Sequence, residues 1–271
     1  MIQINCYPGG VKRVVTFSYD DGHPNDERLV ALFNKYHVKG TFHLNSSRFK
    51  GCTSEELEAI RQRYIGHEIS CHSVHHGEFT HMTDISIVKE TIEDRLFLEK
   101  LAGYPVVGMS YPNGGYNAHV MDVLRSCGIV YNRTAKGSLR NMDAPLDFLE
   151  WIPSCHHRDA ETVGKAFLDT IDSEWYRPIL YIWGHSHELR TEEDWQYIEH
   201  IVSMLANNPK VWYATNIEIY NYTMAARSLV ISADESMIYN PSSINVWVER
   251  NKKEIFEIPA GQTVTLPPCE E

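Results

Sequence analysis

A chain of 271 residues with 43% apolar side chains can bury one large barrel-type core or two ordinary ones. Its formal charge of -11, from 25 basic and 36 acidic residues, argues against non-specific binding to nucleic acid or anionic membrane. A neutral or cationic small substrate suits that balance better.

The stretch from Met1 to Val15 has no basic segment leading into an apolar one, and no 18-residue uncharged apolar run occurs anywhere. Six scattered cysteines (Cys6, Cys52, Cys71, Cys127, Cys155, Cys269) form no CxxC pair, so reduced thiols and a cytoplasmic location are expected. From Val14 onward short β-branched or aromatic runs alternate with longer amphipathic ones, the pattern of βα units on a parallel sheet.

Val14-Val15-Thr16-Phe17 reads as a strand ending at Asp20-Asp21-Gly22. Neighbouring acids at a strand rim point different ways, which suits one metal ligand and one proton acceptor. A helix with Leu29, Leu32, Phe33 and Tyr36 on one face follows, and then a strand, Thr41 to Leu44. Thr53 and Glu56 form a capping-box pattern before a short helix. The strand Glu68 to Cys71 runs into His72-Ser73-Val74-His75-His76, where an i, i+4 pair in a helical turn would share one face. A long helix from Asp84 closes at Gly103, and a strand over Val106 to Met109 runs into Ser110-Tyr111-Pro112-Asn113-Gly114-Gly115.

Next come a helix from Asn117 to Ser126, an extended Ile129-Val130-Tyr131, an apolar run over Phe148 to Ile152 and a helix from about Asp159 to Trp175. The β-rich Ile179 to Trp183 stops at Gly184-His185-Ser186-His187, and helix Glu192 to Asn207 and strand Val211 to Ala214 complete the alternation. The loaded turns all follow strands, where a (β/α) barrel carries its active site. The expected class is α/β: an irregular (β/α)7-type barrel over residues 1–226. Past Ala226 short strands separated by turns predict a small antiparallel β appendage over 227–271.

Asp21, His72 and His76 make a one-carboxylate, two-imidazole set, which suits zinc or a similar divalent ion and leaves positions open for water and substrate. Thr16-Phe17 before Asp20-Asp21-Gly22, with His72-Ser73-Val74-His75-His76, resembles the first two motifs of the polysaccharide deacetylase family, carbohydrate esterase family four. The resemblance covers about residues 12–215 and implies an irregular (β/α) barrel, with Asp20 as general base and Asp21, His72 and His76 as metal ligands. The implied reaction is metal-assisted hydrolysis of an N-acetyl group, in which a divalent ion lowers the pKa of water towards ~7 and polarises the carbonyl.

The leaving amine must be protonated, and the family supplies that acid from a histidine after an apolar strand. His185 matches this position, with His187 as its competitor. The third motif carries an arginine that charge-pairs with the base; here Ser110 stands in its place. The resemblance offers Asn113, through its backbone N–H, for the oxyanion, with Tyr111 beside it. Arg133, at the next strand end, is the candidate substitute for the missing charge, the alternative being a surface arginine. Trp151 is a weak counterpart of the fourth motif's tryptophan, without clean spacing to Asp143 and Asp147. In Cys155-His156-His157 adjacent rings on an extended segment should point apart, which favours a structural or substrate-contacting role over a metal. His75 and His67 are expected to be hydrogen-bonding neighbours of the ligands.

The expected activity is removal of N-acetyl from an acetylated amino sugar or oligosaccharide, with a divalent metal, zinc first. The expected partner is a small-molecule or oligosaccharide substrate, with no nucleic acid and no membrane, and homo-oligomerisation is left open. Two alternatives remain: a non-sugar C–N amidohydrolase on the same scaffold, and a metal- or carbohydrate-binding module without catalysis.

Overall fold

The computed structural model describes residues 1–135, 141–173 and 178–268. Its centre is β2 (Arg13–Asp20), all eight residues buried, as a parallel strand covered on both faces should be. A short β1 (Ile2–Gln3) precedes it. The barrel strands that follow are β3 (Gly40–Leu44), β4 (Glu68–Cys71), β5 (Gly108–Ser110), β6 (Tyr131–Arg133), β7 (Cys155–His156), β8 (Ile179–His185) and β9 (Val211–Tyr213). All pair in parallel, in the order β6-β5-β4-β3-β2-β8-β7, with β9 alongside the first residues of β2. The result is a curled parallel sheet wrapped by helices, an α/β barrel of the predicted (β/α)7 type.

The two outer strands are joined by one short segment. Trp151 forms a bridge to Arg133, its N–H donating to the Asn132 carbonyl at 3.0 Å, and four residues later Cys155 pairs with Ile182 of β8. Residues 151–156 therefore span the gap between β6 and β8.

The helices are α1 (Asp26–Lys35), α2 (Ser54–Arg63), α3 (Asp84–Ala102), α4 (Ala118–Ser126), α5 (Ala160–Leu168), α6 (Glu192–Leu205) and α7 (Asn216–Arg227). The capping box is present on α2: Glu56 N–H donates to Thr53 Oγ1 at 3.2 Å and Thr53 N–H to Glu56 Oε2 at 2.7 Å. Gly103 ends α3 with φ 80°, a left-handed value that glycine takes without steric cost. Predicted β5 and β6 are displaced by about two residues, because Pro105 and Gly128 punctuate the chain without fixing where ladder pairing starts. The predicted helix from Asp159 stops at Leu168, and its expected end at Trp175 lies outside the described residues.

The tail forms β10 (Val230–Ile231), β11 (Met237–Tyr239), β12 (Val246–Arg250), β13 (Glu254–Ile258) and β14 (Thr263–Thr265), all antiparallel. Its two sheets run β10-β11-β14 and β1-β12-β13, so the first residues of the chain complete the second. Tyr222 Oη, on α7, donates to the Cys6 carbonyl at 2.9 Å and accepts from Trp247 N–H at 3.0 Å, tying barrel and tail together. We propose 1–226 and 227–271 as the structural units, the second completed by β1. Among the described residues Cys52, Cys71, Cys127 and Cys155 are free thiols, and Cys269 lies outside them. Among the described residues no helix is long and apolar enough to cross a membrane.

Candidate metal centre

Asp20 is the last residue of β2 and Asp21 the first beyond it, where the chain turns with φ 79° at Asp21. That turn is held by Asp21 N–H donating to the His43 carbonyl at 2.9 Å. His72 follows the end of β4, its N–H donating to the Leu44 carbonyl and to Asp94 Oδ2.

Residues 72–76 are not helical, contrary to the expected helical turn. Left-handed backbone at Ser73 (φ 61°) and His76 (φ 58°) folds the loop back on itself and brings the two rings within 4.7 Å of each other. Asn45 braces this loop, donating from Nδ2 to the carbonyls of His72 at 2.5 Å and Ser73 at 2.9 Å. His75 turns away to Glu90, its Nδ1 2.7 Å from Oε1, and His67 is held by Gly40 N–H and Asn34.

The three donors meet. Asp21 Oδ1 lies 3.6 Å from His72 Nε2 and 3.6 Å from His76 Nε2. A tetrahedral ion with bonds of ~2.0 Å needs donors about 3.3 Å apart. His72 is 1% exposed, and its Nε2 is buried without a hydrogen-bond partner. Its Nδ1 lies 2.9 Å from the Ser110 carbonyl, which can only accept, so Nδ1 carries the proton and Nε2 presents its lone pair. An orphaned lone pair facing a carboxylate and a second imidazole fits a divalent ion of the zinc type.

Asp20, 2% exposed, is gripped on both oxygens: Arg133 Nη2 donates to Oδ2, and Ser110 Oγ donates to Oδ1 at 3.0 Å. Burial alone would raise this carboxyl. The Arg133 guanidinium, followed by His72, His43 and His185, outweighs it and holds Asp20 well below the usual carboxylate range. Ser110 Oγ also lies 2.7 Å from His72 Nδ1, so one hydroxyl accepts from the histidine and donates to the aspartate. Arg133 is 1% exposed and lies over the Trp183 ring, 4.4 Å from its centroid. Asp20 is thus paired with an arginine from β6, while β5 offers it the hydroxyl of Ser110.

His185, at the end of β8, has Nε2 3.9 Å from Asp20 Oδ2 and Nδ1 3.8 Å from Glu188 Oε1. Burial would lower its pKa, but Glu188, Asp20 and Asp21 together raise it. His187 faces Asp21 instead, Nδ1 to Oδ2 at 3.5 Å; burial and then His185 lower its pKa. Contrary to expectation, His156 and His157 do not point apart. His156 caps the turn His157–Asp159, and both Nε2 atoms converge on Glu188 Oε2 at 2.9 and 3.2 Å. Arg158 holds the other oxygen at 2.8 Å.

Asn113 sits in a left-handed turn (φ 56°) and donates from Nδ2 to the His76 carbonyl at 3.3 Å, beside the ligand loop. Tyr111 and Trp151 are placed elsewhere. Tyr111 is buried with its hydroxyl donating to the Leu149 carbonyl at 2.8 Å, and Trp151 is packed edge-on against Tyr131, Phe148 and Tyr181. Both side chains face the core because their apolar area is worth more there than at a rim. The half-buried Trp183 is the tryptophan near His185, 5.6 Å between rings. Glu188 and Trp183 are the site neighbours that motif spacing did not single out; Glu188's place three residues after His185 was the available signal.

Residues 9–132 match the sequence model of the polysaccharide deacetylase family. No curated protein matches the chain. In fold it is similar to a putative polysaccharide deacetylase from Mycobacterium smegmatis, at 16% identity, TM-score 0.62, covering 82% of this chain and 93% of that one. The Xyl-CE4 domain of a multidomain xylanase from the hindgut metagenome of Trinervitermes trinervoides is also similar, at 16% identity, TM-score 0.53, covering 79% and 92%. So is a family-four pseudoenzyme from Bacillus anthracis, at 15% identity, TM-score 0.51, covering 79% and 66%. The matched segment runs from residue 9 to the middle of β6 and carries Asp20, Asp21, His72 and His76.

Proposed function

We propose that this chain is a metal-dependent hydrolase that removes an N-acetyl group from an acetylated amino sugar or oligosaccharide. Asp21, His72 and His76 would hold a divalent ion, zinc first among candidates, which when bound supplies Lewis-acid polarisation of the acetyl carbonyl. Asp20 accepts the proton of the attacking water at its carboxylate. Arg133 and Ser110 fix the direction from which that proton can be taken. His185 gives a proton to the departing amine, with Glu188 keeping the imidazolium favourable. Asn113, at the rim beside His76, is the candidate oxyanion contact.

The observation that carries this reading is the Arg133–Asp20 contact. A binding module without catalysis has no use for a buried, ionised carboxylate held beside the ligand set, and desolvating that charge is costly. The test is acetate release from N-acetylglucosamine oligomers with added zinc, comparing wild type with Asp20→Asn. Release by wild type, and its loss in a variant that still takes up one equivalent of metal, is expected. No release from sugars of any length, with turnover of a cyclic ureide, would move the assignment to a non-sugar C–N amidohydrolase. No release from any acyl compound would leave a binding module.

A further inference from the structure

Beside the ligand set lies a polar cavity of about 400 Å³ lined by Asp21, Asn45, Ser47, Arg48, His75 and His76. Arg48 is exposed there, and among the described residues its guanidinium has no ion-pair partner within 4.0 Å. The acid lining the cavity, Asp21, faces His72 and His76 at 3.6 Å each, and Glu90, behind His75, is paired with that histidine.

The turn that carries Arg48 is built into the same frame as the ligands. Ser46 N–H donates to Asp94 Oδ1 at 2.9 Å, and the other oxygen of that buried carboxylate accepts from His72 N–H at 3.0 Å. Ser47 N–H donates to the Val74 carbonyl at 3.3 Å, within the ligand loop. Asn45, one residue before the turn, braces that loop from below. A long side chain whose backbone is fixed to a ligand histidine through one shared carboxylate is held in register with the reacting centre, even with its tip in solvent.

We infer that Arg48 selects N-acyl substrates carrying an anionic group, a carboxylate or phosphate, on the side of the cleft lined by Ser47 and His75. This rests on the deacetylase reading and refines its substrate class. It runs against the preference that the net charge of -11 implies. The charge of the whole chain acts over long distances and is screened beyond ~8 Å at physiological salt, whereas a guanidinium at hydrogen-bond distance recognises its anion bidentately.

The test compares three probes: N-acetylglucosamine, a phosphate monoester of it, and its lactyl-ether carboxylic acid. Binding is measured calorimetrically on Asp20→Asn, and acetate release on wild type, each with and without Arg48→Ala and Arg48→Lys. At least one anionic probe should bind on the order of tenfold more tightly than the neutral sugar. Arg48→Ala should bring that ratio towards one, Arg48→Lys should keep part of it, and added salt should weaken it. Which anion gains distinguishes carboxylate from phosphate. Equal binding of all three probes, or a ratio unmoved by Arg48→Ala, overturns the inference. Absence of acetate release with an intact anionic preference in binding would instead overturn the deacetylase reading and leave this one standing.

Discussion

Arg133 and Asp20 come from strand ends more than a hundred residues apart and meet with both side chains about 1–3% exposed. Removing one partner of such a pair leaves a buried charge uncompensated, at a cost of about 3–5 kcal/mol. Arg133→Ala is therefore expected to lower thermal stability clearly and acetate release by on the order of a hundredfold. Asp20 has a depressed pKa, so its contribution to stability is present above the ordinary carboxylate range and lost as pH falls through its folded value. In the variant the folded pKa of Asp20 should rise, so this contribution should shrink and the acid loss should end at a higher pH. Thermal melts and rate profiles from pH 3 to 8 check both, and unchanged profiles would refute the pairing.

The ligand set predicts a separation between binding and chemistry. His72→Ala and His76→Ala should each lose the stoichiometric ion after gel filtration, whereas Asp20→Asn should retain it. Elemental analysis decides. His72→Ala that keeps a full equivalent of metal would show that Nε2 is not a ligand.

Glu188 gathers Arg158, His156 and His157 and faces His185. Glu188→Gln preserves the shape but removes the charge that favours the imidazolium. The expected result is a several-fold to tenfold fall in kcat with KM little changed, and a basic limb moved to lower pH. A change in KM alone would point to substrate contact instead.

A fourth prediction concerns stability away from the site. Glu68 is buried among Tyr131, Thr41 and the Ile217 N–H, and burial pushes its pKa up to about 7. A carboxyl raised in the folded state stabilises below its unfolded pKa near 4.5, and that contribution is lost as pH rises towards 7. Wild type should lose up to about 3 kcal/mol across this window from Glu68. Glu68→Gln should flatten this part of the curve, which denaturant midpoints at pH 5 and pH 8 would show.

Strands and helices were legible where local chemistry dictates them: the apolar β2, the Thr53–Glu56 box, Gly103 at the end of α3. Arg133 was legible as a candidate because it sits at a strand end, where parallel barrels collect their polar groups. What was illegible depends on the path of loops. The i, i+4 spacing of His72 and His76 suggested a helix, yet two left-handed residues bring the rings together. The neighbouring rings of His156 and His157 converge because the chain leaves the extended conformation between them, a switch their side chains do not announce. Tyr111 and Trp151 carry motif-like identities, but burial of large rings decided their direction.

The span of residues 151–156 has a consequence for how this protein can vary. At one end it is bonded to the strand that presents Arg133, and at the other it delivers His156 and then His157 to Glu188. The group that steadies the proposed base and the groups that surround the proposed acid's partner are thus spaced by one tether of fixed length. Its residue count is constrained together with its buried side chains, Trp151, Ser154 and Cys155, since a single insertion would be expected to throw both halves of the proposed catalytic pair out of register at once.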